Sequence, residues 1–280
     1  ADGKDQKRPS WALLSDTHIH ESLTEENQGQ NMASNLLRAL SDVLPHGPGT
    51  AVVNGDIARL VGNTGDYASF LKLVEPLRAA GVPIHATLGN HDDRDKFLGA
   101  LEGSGEPALA PSSARAAVAQ RHCSSFIADG VRWLLLDSLE KVNQTPGILG
   151  PAQLDWVARE LDASPREPAI LFLHHNVEKS GIGLRDTDDL LAVLRPRRQA
   201  KAVFFGHTHT WRRWEDEGIH MVNLPAVGYT FAAAEPIGWV LAQPREDGLD
   251  LELRSFGPHQ EHGKKVALAW RPLEAAARAL

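Results

Sequence analysis

Short apolar segments alternate with amphipathic helical segments in the N-terminal part of the chain. Trp11–Ser15, Ala51–Val53 and Ile84–Leu88 are short, apolar and bounded by turn residues, which is typical of buried strands. The segments between them, Asn31–Leu44 and Asp66–Ala80, carry apolar residues at helical spacing. Strands that alternate with helices form right-handed crossover units, so the pattern predicts an α/β fold with a mostly parallel sheet.

The pattern of strands and helices continues in the second half of the chain. The predicted strands are Ser125–Ile127, Val131–Leu136, Ala169–Leu173, Ala202–Phe205, His220–Leu224, Trp239–Ala242 and Leu249–Leu253. Helices are predicted at Pro151–Leu161, Thr187–Leu194 and Pro272–Leu280, and a long loop at Gly99–Ser113. The last three strands are separated by Gly, Pro and Asp turns, so we expect them to be antiparallel and half exposed.

We expect one domain at residues 11–280 after a flexible segment at residues 1–10, because no linker or repeat divides the chain.

Composition and charge exclude several classes of protein. The net charge of −7 argues against binding of nucleic-acid polymers. Cys123 is the only cysteine, which excludes an internal disulfide and a thiolate-rich metal site. The apolar runs are far shorter than the roughly 18 residues of a membrane span.

The first residue of the chain bears on localisation. The sequence starts at Ala1 without a hydrophobic leader. Such a start fits an exported bacterial protein whose signal peptide has been removed, or else a cytoplasmic protein.

Polar side chains directly follow five of the predicted strands, at the point where each strand ends. They are Asp16 and His18, Asp56, Asn90 with His91 and Asp92, His174 with His175, and His207 with His209. Ligands bind at the carboxyl ends of parallel strands, so we expect these side chains to converge. Carboxylate, amide and imidazole groups without thiolates are typical ligands of Zn, Fe, Mn or Co in hydrolytic sites. A glycine before three of them lets the backbone approach closely.

As an ordered set, these residues resemble the signature of the calcineurin-like metallophosphoesterases. The matching motifs are Asp16-x-His18, Gly55-Asp56, Gly89-Asn90-His91-Asp92, His174 and Gly206-His207-x-His209. The extension Asp93-Arg94 and the pair His174-His175 further resemble the bacterial branch of cyclic-nucleotide and glycerophosphodiester phosphodiesterases. Asn176 follows the histidine pair where that branch often has a proline.

The resemblance implies a two-sheet β-sandwich flanked by helices, an αββα arrangement, with two divalent or trivalent metal ions. It implies that Asp16, His18, Asp56 and His209 bind the first ion, and that Asp56, Asn90, His174 and His207 bind the second. Asp56 would bridge the two ions, and His174 rather than His175 would be the ligand. His91 would bind no metal but would hydrogen-bond a phosphoryl oxygen or the leaving group. The resemblance leaves the metals open among Fe, Mn, Zn and Co.

Two metal ions suit the hydrolysis of phosphoric esters. Together they neutralise phosphoryl oxygens, lower the pKa of a bridging water and align the nucleophile with the leaving oxygen. With the roles that the resemblance implies, Asp56 and His91 are the predicted catalytic residues. We predict a hydrolase of a small-molecule phosphoester, in particular a phosphodiesterase that uses a metal-bridging hydroxide. The alternatives are a phosphomonoesterase or nucleotidase on the same site, and a non-catalytic metal-binding scaffold of the same fold.

Three further side chains are candidates for substrate contact. Trp211 could stack a base, although a strand with alternating faces is the favoured interpretation of Trp211–Trp214. Arg94 could meet the substrate or pair with a neighbouring aspartate, and His175 lies beside a predicted ligand. Tyr229 and Phe231 either line the pocket or pack in the core.

Overall fold

The computed structural model describes residues 8–103 and 109–273, which form two large β-sheets with helices on their outer faces. The strands are β1 (Trp11–Leu14), β2 (Glu26–Asn27), β3 (Gln30–Asn31), β4 (Thr50–Asn54), β5 (Ile84–Thr87), β6 (Ser124–Ala128), β7 (Val131–Leu135), β8 (Ala169–Phe172), β9 (Ala200–Phe205), β10 (Arg212–Asp216), β11 (Ile219–Asn223), β12 (Gly238–Arg245), β13 (Gly248–Ser255) and β14 (Lys265–Ala269). The helices are α1 (Met32–His46), α2 (Thr64–Leu73), α3 (Glu75–Ala79), α4 (Arg94–Gly103), α5 (Pro151–Ala163) and α6 (Thr187–Leu194), with a 3₁₀ turn at Pro111–Ala114.

The first sheet has six strands in the order β14-β13-β12-β1-β4-β5. Strands β1, β4 and β5 are parallel to one another, whereas β12, β13 and β14 add to the sheet in antiparallel fashion. The second sheet has the order β10-β11-β9-β8-β7-β6 and a parallel centre of β7, β8, β9 and β11. Both sheets are therefore mixed, with parallel strands where the sequence predicts crossovers.

The three apolar cores confirm the predicted arrangement of two sheets between helical layers. Trp11 and Leu13 point between the sheets, where they belong to the same cluster as Phe172 and Phe204 of the second sheet. The alternate residues of β1, such as Leu14, pack against α1 to α4 on the outer face of the first sheet. Helices α5 and α6 cover the outer face of the second sheet. Strands buried on both faces carry apolar residues at every position.

Several predicted elements differ from the observed ones. The segment His220–Leu224 corresponds to β11, which is antiparallel to β10 but parallel to β9, because the β10 hairpin reverses the chain first. The predicted helix Asp66–Ala80 is two helices, α2 and α3, which meet at Val74, two residues before Pro76. Helix α4 occupies the start of the predicted loop Gly99–Ser113.

The two ends of the chain are covered only in part. The predicted C-terminal helix at Pro272–Leu280 and the N-terminal segment at residues 1–10 lie mostly outside the described residues. Within the described ranges, none of the helices is long and apolar enough to span a bilayer.

Candidate metal centre

The carboxyl ends of five parallel strands, β1, β4, β5, β8 and β9, meet at one edge of the sandwich. Asn54, at the end of β4, ties the two sheets together there, because its Nδ2 donates to the Leu173 carbonyl at 2.8 Å. Its Oδ1 accepts from the Thr87 hydroxyl at 2.9 Å. The Nδ1 of His174 faces the carbonyl oxygen of Asn54 at 3.3 Å. Asn54 is fully buried and is a positioning residue that the sequence analysis missed.

Two of the glycines that precede these polar residues are required by close packing. Gly55 has φ of +74°, and a Cβ at this position would lie 2.5 Å from Nδ1 of His174. A Cβ at Gly89 would lie 2.1 Å from Oδ1 of Asp56. Neither position has room for a side chain, so the close backbone approach predicted from the sequence is present at both.

Five of the predicted site residues adopt left-handed backbone conformations. They are Asp16 (φ +53°), His18 (φ +48°), Asp56 (φ +46°), His207 (φ +70°) and His209 (φ +52°). For a residue with a side chain this conformation costs about 1 kcal/mol or more. Such strain persists where the surrounding structure enforces it, and it clusters at functional sites.

Asp16, His18 and His209 form the first group of side chains that could hold a metal ion. The Nε2 atoms of His18 and His209 are 3.1 Å apart, and Nε2 of His209 is 3.3 Å from Oδ1 of Asp16. Each imidazole turns its Nδ1 toward a main-chain carbonyl, that of Arg59 at 3.4 Å and that of Tyr229 at 2.7 Å. A carbonyl only accepts, so Nδ1 carries the proton and Nε2 presents a lone pair to the group.

Asp56, His174 and His207 form the second group. Oδ2 of Asp56 lies 3.2 Å from Nε2 of His174 and 3.7 Å from Nε2 of His18, so this carboxylate reaches both groups. Asn90 is also buried at this edge. Within the described residues, Oδ1 of Asn90 and Nε2 of His207 have no hydrogen-bond partner, and Nε2 of His174 faces the Asp56 carboxylate.

The donor set fits two metal ions. Unpaired lone pairs on buried oxygen and nitrogen atoms cost free energy unless a cation or a hydrogen-bond donor meets them. Carboxylate, imidazole and amide donors suit first-row divalent ions, and the candidates Fe, Mn, Zn and Co are all compatible with them. The structure therefore supports a two-metal site and leaves the identity of the metals open.

Burial and neighbouring charges shift the pKa values of several residues of the site. Burial lowers the pKa of His18 to about 3 and that of His207 to about 4, so both rings are neutral. Burial acts to raise the pKa of Asp16, but His174 and other imidazoles outweigh it and lower it to about 2. Burial acts to lower the pKa of His174, but the carboxylates of Asp56 and Asp16 raise it to about 9. A metal ion at His174 must therefore displace a proton.

His91 stands at the edge of the site, oriented by a main-chain group. Its Nδ1 lies 2.7 Å from the carbonyl oxygen of Leu60, and its Nε2 is 4.0 Å from Oδ2 of Asp56. Asp92, the residue after His91, has a different role. Its carboxylate accepts from the backbone N–H groups of Gly89 at 2.8 Å and of two residues after β4, and so ties two loops of the site together.

A pocket of about 390 Å³ opens above the two groups. Besides the predicted residues His18, Asp56, Asn90, His91, His207 and His209, it is lined by Asn143, Thr145, Ile182, Thr208, Tyr229 and Phe231. The backbone N–H of Asn143 donates to the carbonyl of Asn90 at 2.5 Å, which fixes this wall to the site. Asn143, Thr145 and Ile182 lie in loops without a periodic pattern, so the sequence analysis missed them.

Each of the three residues proposed for substrate contact has its own partner within the protein. Arg94 forms a bidentate ion pair with the buried Asp137, at 2.5 and 2.9 Å, rather than with a neighbouring aspartate. His175 is fully buried, and its Nδ1 lies 2.8 Å from the Ser138 hydroxyl. Trp211 packs in the core between the sheets. None of the three lines the pocket, whereas Tyr229 and Phe231 do.

Comparisons with known proteins agree with the geometry. Residues 11–211 match the family model of the calcineurin-like phosphoesterases. The chain is 28% identical over 206 residues to the 3′,5′-cyclic adenosine monophosphate phosphodiesterase CpdA of Pseudomonas aeruginosa, covering 70% of this chain and 68% of that protein. It is 26% identical over 233 residues to a 3′,5′-cyclic-nucleotide phosphodiesterase of Nostoc sp., covering 79% of each. A dimetal phosphatase from Danio rerio shares the fold, with a TM-score of 0.72, 18% identity, and coverage of 95% of this chain and 100% of that one.

Proposed function

The chain belongs to the calcineurin-like phosphoesterase family, and from this premise we propose that it hydrolyses phosphodiesters at a centre of two metal ions. One observation carries the preference for diesters. The described residues that line the pocket include neither lysine nor arginine. A phosphomonoester carries a second negative charge that a cation near the metals would stabilise, whereas a diester carries one. A pocket whose described lining has no lysine or arginine therefore favours the diester.

The ligands in this proposal are the residues whose lone pairs converge. Asp16, His18 and His209 hold the first ion, Asn90, His174 and His207 hold the second, and Asp56 serves both. When bound, the two cations neutralise phosphoryl oxygens and activate a water for attack. The main-chain carbonyls behind His18, His209 and His174 keep their Nε2 atoms aimed at the centre, which raises metal affinity.

His91 is the proposed general acid. Its Nδ1 proton is directed to the Leu60 carbonyl, so its Nε2 carries a proton only when the ring is cationic. The carboxylate of Asp56 lies 4.0 Å from that Nε2. As the ester bond breaks, the Nε2 proton passes to the departing oxygen, which leaves as an alcohol, and the ring becomes neutral.

The relatives suggest where a search for the natural substrate should begin. CpdA of Pseudomonas aeruginosa and the Nostoc protein are both named as cyclic-nucleotide phosphodiesterases. We infer that the substrate is a small phosphodiester and that cyclic nucleotides are the first class to test. We also infer that residues 11–280 work as one domain, because β12 to β14 extend the sheet that begins with β1.

The test compares two chromogenic substrates on metal-stripped protein refilled with Mn, Zn, Co or Fe. Bis(4-nitrophenyl) phosphate reports diesterase activity, and 4-nitrophenyl phosphate reports monoesterase activity. We expect metal to restore cleavage of the diester, Asp56→Asn to abolish it, and the exposed control Asp155→Asn to retain it. Cleavage of the monoester alone would favour a phosphomonoesterase, and stoichiometric metal binding without any cleavage would favour the scaffold.

A further inference from the structure

Phe231 is an exposed aromatic residue beside the metal centre, and we propose that it determines specificity by stacking on an aromatic ring in one ester arm of the substrate. This assignment rests on the proposed phosphodiesterase function. The substrate class is a phosphodiester whose retained arm, the one that stays on the phosphate after cleavage, carries an uncharged heteroaromatic ring.

The ring of Phe231 is exposed and yet held in place. The residue is 63% exposed, which is the highest value among the large hydrophobic residues that the structure describes. Its ring stacks on that of His209, with centroids 4.7 Å apart and planes at 27°, and meets Tyr229 edge-on at 5.5 Å. One face is thus fixed against the metal site while the side chain remains open to solvent. The exposed surface of this ring lines the pocket and is available to pack against a ligand.

Phe231 also lies where an ester arm would leave the metal pocket. It lines both that pocket and a neighbouring cleft of about 620 Å³. Ile182, a second exposed apolar side chain at 49% exposure, lines the same metal pocket. A flat ring between these two residues would remove apolar surface from water on both of its sides.

The order of the rings indicates which arm reaches Phe231. His91 contacts His18 with centroids 5.4 Å apart, His18 contacts His209 at 5.0 Å, and His209 contacts Phe231 at 4.7 Å. In this series of ring contacts, His18 and His209 separate His91 from Phe231. Since His91 is the proposed acid for the leaving oxygen, the retained arm extends toward Phe231.

The electrostatics of the pocket limit the chemistry of that arm. The described lining residues supply no lysine or arginine, so an anionic arm would find no partner there. Aromatic rings stack on phenylalanine with little dependence on their substituents, and a heteroaromatic ring keeps its polar edge in water or on the amide of Asn143.

The experiment uses the metal-loaded enzyme and two diesters with the same leaving group. Thymidine 5′-(4-nitrophenyl phosphate) has a heteroaromatic retained arm, and methyl 4-nitrophenyl phosphate has none. We expect Phe231→Ala to lower the ratio of their kcat/KM values about tenfold, which is about 1.4 kcal/mol. Phe231→Tyr should keep the ratio, and Phe231→Leu should lower it as alanine does. Ile127→Ala changes another exposed apolar residue, 55% exposed and on β6, and should leave the ratio unchanged.

Each outcome separates this inference from the function it rests on. The ratio cancels any change in metal occupancy, because both substrates use the same centre. If the wild-type enzyme cleaves both diesters and Phe231→Ala lowers both equally, Phe231 only supports His209 and the inference fails while the phosphodiesterase function stands. If the wild-type enzyme cleaves neither diester with any metal, the proposed function fails and the inference falls with it.

Discussion

Nε2 of His18 lies 3.1 Å from Nε2 of His209, and each ring turns its Nδ1 toward a main-chain carbonyl oxygen. Both Nε2 atoms therefore carry lone pairs, which repel each other at this distance. A cation between the two rings and Asp16 converts the repulsion into coordination. The folded chain is thus arranged for metal, and its stability should depend on the ions.

Removal of the metal should lower the stability of the protein. A ligand at 1,000 times its Kd stabilises the folded state by about 4 kcal/mol per site, so chelation should lower the melting temperature by several degrees. Metal analysis should give two ions per chain for the wild type and fewer for His18→Ala. The exposed control His262→Gln should bind as many as the wild type. An unchanged melting temperature after chelation would contradict the assignment.

Asn54→Ala should destabilise the protein by about 2–3 kcal/mol. The substitution removes the link between the sheets and leaves the buried carbonyl of Leu173 and hydroxyl of Thr87 without their partner. Thr87→Val, which keeps the shape and removes one of the two bonds, should cost about 1 kcal/mol. Urea unfolding of the metal-free proteins measures both values. Equal stability of Asn54→Ala and the wild type would show that the link carries no free energy.

The strand ends could be predicted from the sequence because their signal is local. Each polar residue of the site directly follows a short apolar segment. A glycine such as Gly89 predicts close packing before the fold is known, and a Cβ there would collide with Asp56. The two-layer arrangement itself needed the family resemblance. The residues of β1 are apolar at every position, so periodicity alone does not say which of them face the helices.

The features that the sequence analysis missed depend on distant contacts. Arg94 has aspartates on both sides, but its partner Asp137 is 43 positions away and is reached only after folding. Strand β14 has a mostly exposed pattern and gains its strand character from pairing with β13 at the edge of the sheet. The pocket residues Asn143 and Ile182 lie in loops. A loop sequence has no periodic pattern from which the placement of a residue can be predicted.

Arg271→Met should cost about 3 kcal/mol in stability while leaving catalysis intact. The buried guanidinium donates to five main-chain carbonyls, those of Leu194, Arg195, Arg197, Ala200 and Glu217. Its loss leaves several of them unsatisfied at the end of α6. Ala200 begins β9, at the opposite end of the strand from the metal site, so kcat/KM at 25 °C should stay within about twofold.

A matched variant tests whether the loss of stability in Arg271→Met comes from the burial of this side chain. Arg198→Met removes a neighbouring guanidinium whose one hydrogen bond within the described residues, 3.2 Å long, goes to the carbonyl of Pro272. We expect it to change the free energy of unfolding by less than about 0.5 kcal/mol. Similar losses from the two substitutions would mean that the carbonyl cluster does not need Arg271.

His85 should make stability fall at acidic pH. Burial lowers the pKa of this side chain to about 4, against an ordinary value of 6.5. The unfolded chain therefore binds a proton between these pH values that the folded chain does not. The contribution of His85 is fully present above pH 6.5 and is lost as the pH falls toward 4, by about 2 kcal/mol between pH 7.5 and pH 5.

The variant His85→Phe isolates this effect. Phenylalanine keeps the stacking on Phe126, whose centroid is 3.7 Å from that of His85, and cannot bind a proton. Urea unfolding at pH 7.5 and pH 5 should show a smaller loss of stability in the variant than in the wild type. Parallel losses in the two proteins would assign the pH dependence to other groups.

The role of His91 should depend on the leaving group. If Nε2 donates its proton to the departing oxygen, His91→Ala should lower kcat about 10²–10³-fold for a diester that releases an alkoxide. For a diester that releases 4-nitrophenolate, which departs without a proton, the loss should be less than about tenfold. Equal losses for the two leaving groups would mean that His91 stabilises a phosphoryl oxygen instead, from the same position 4.0 Å from Asp56.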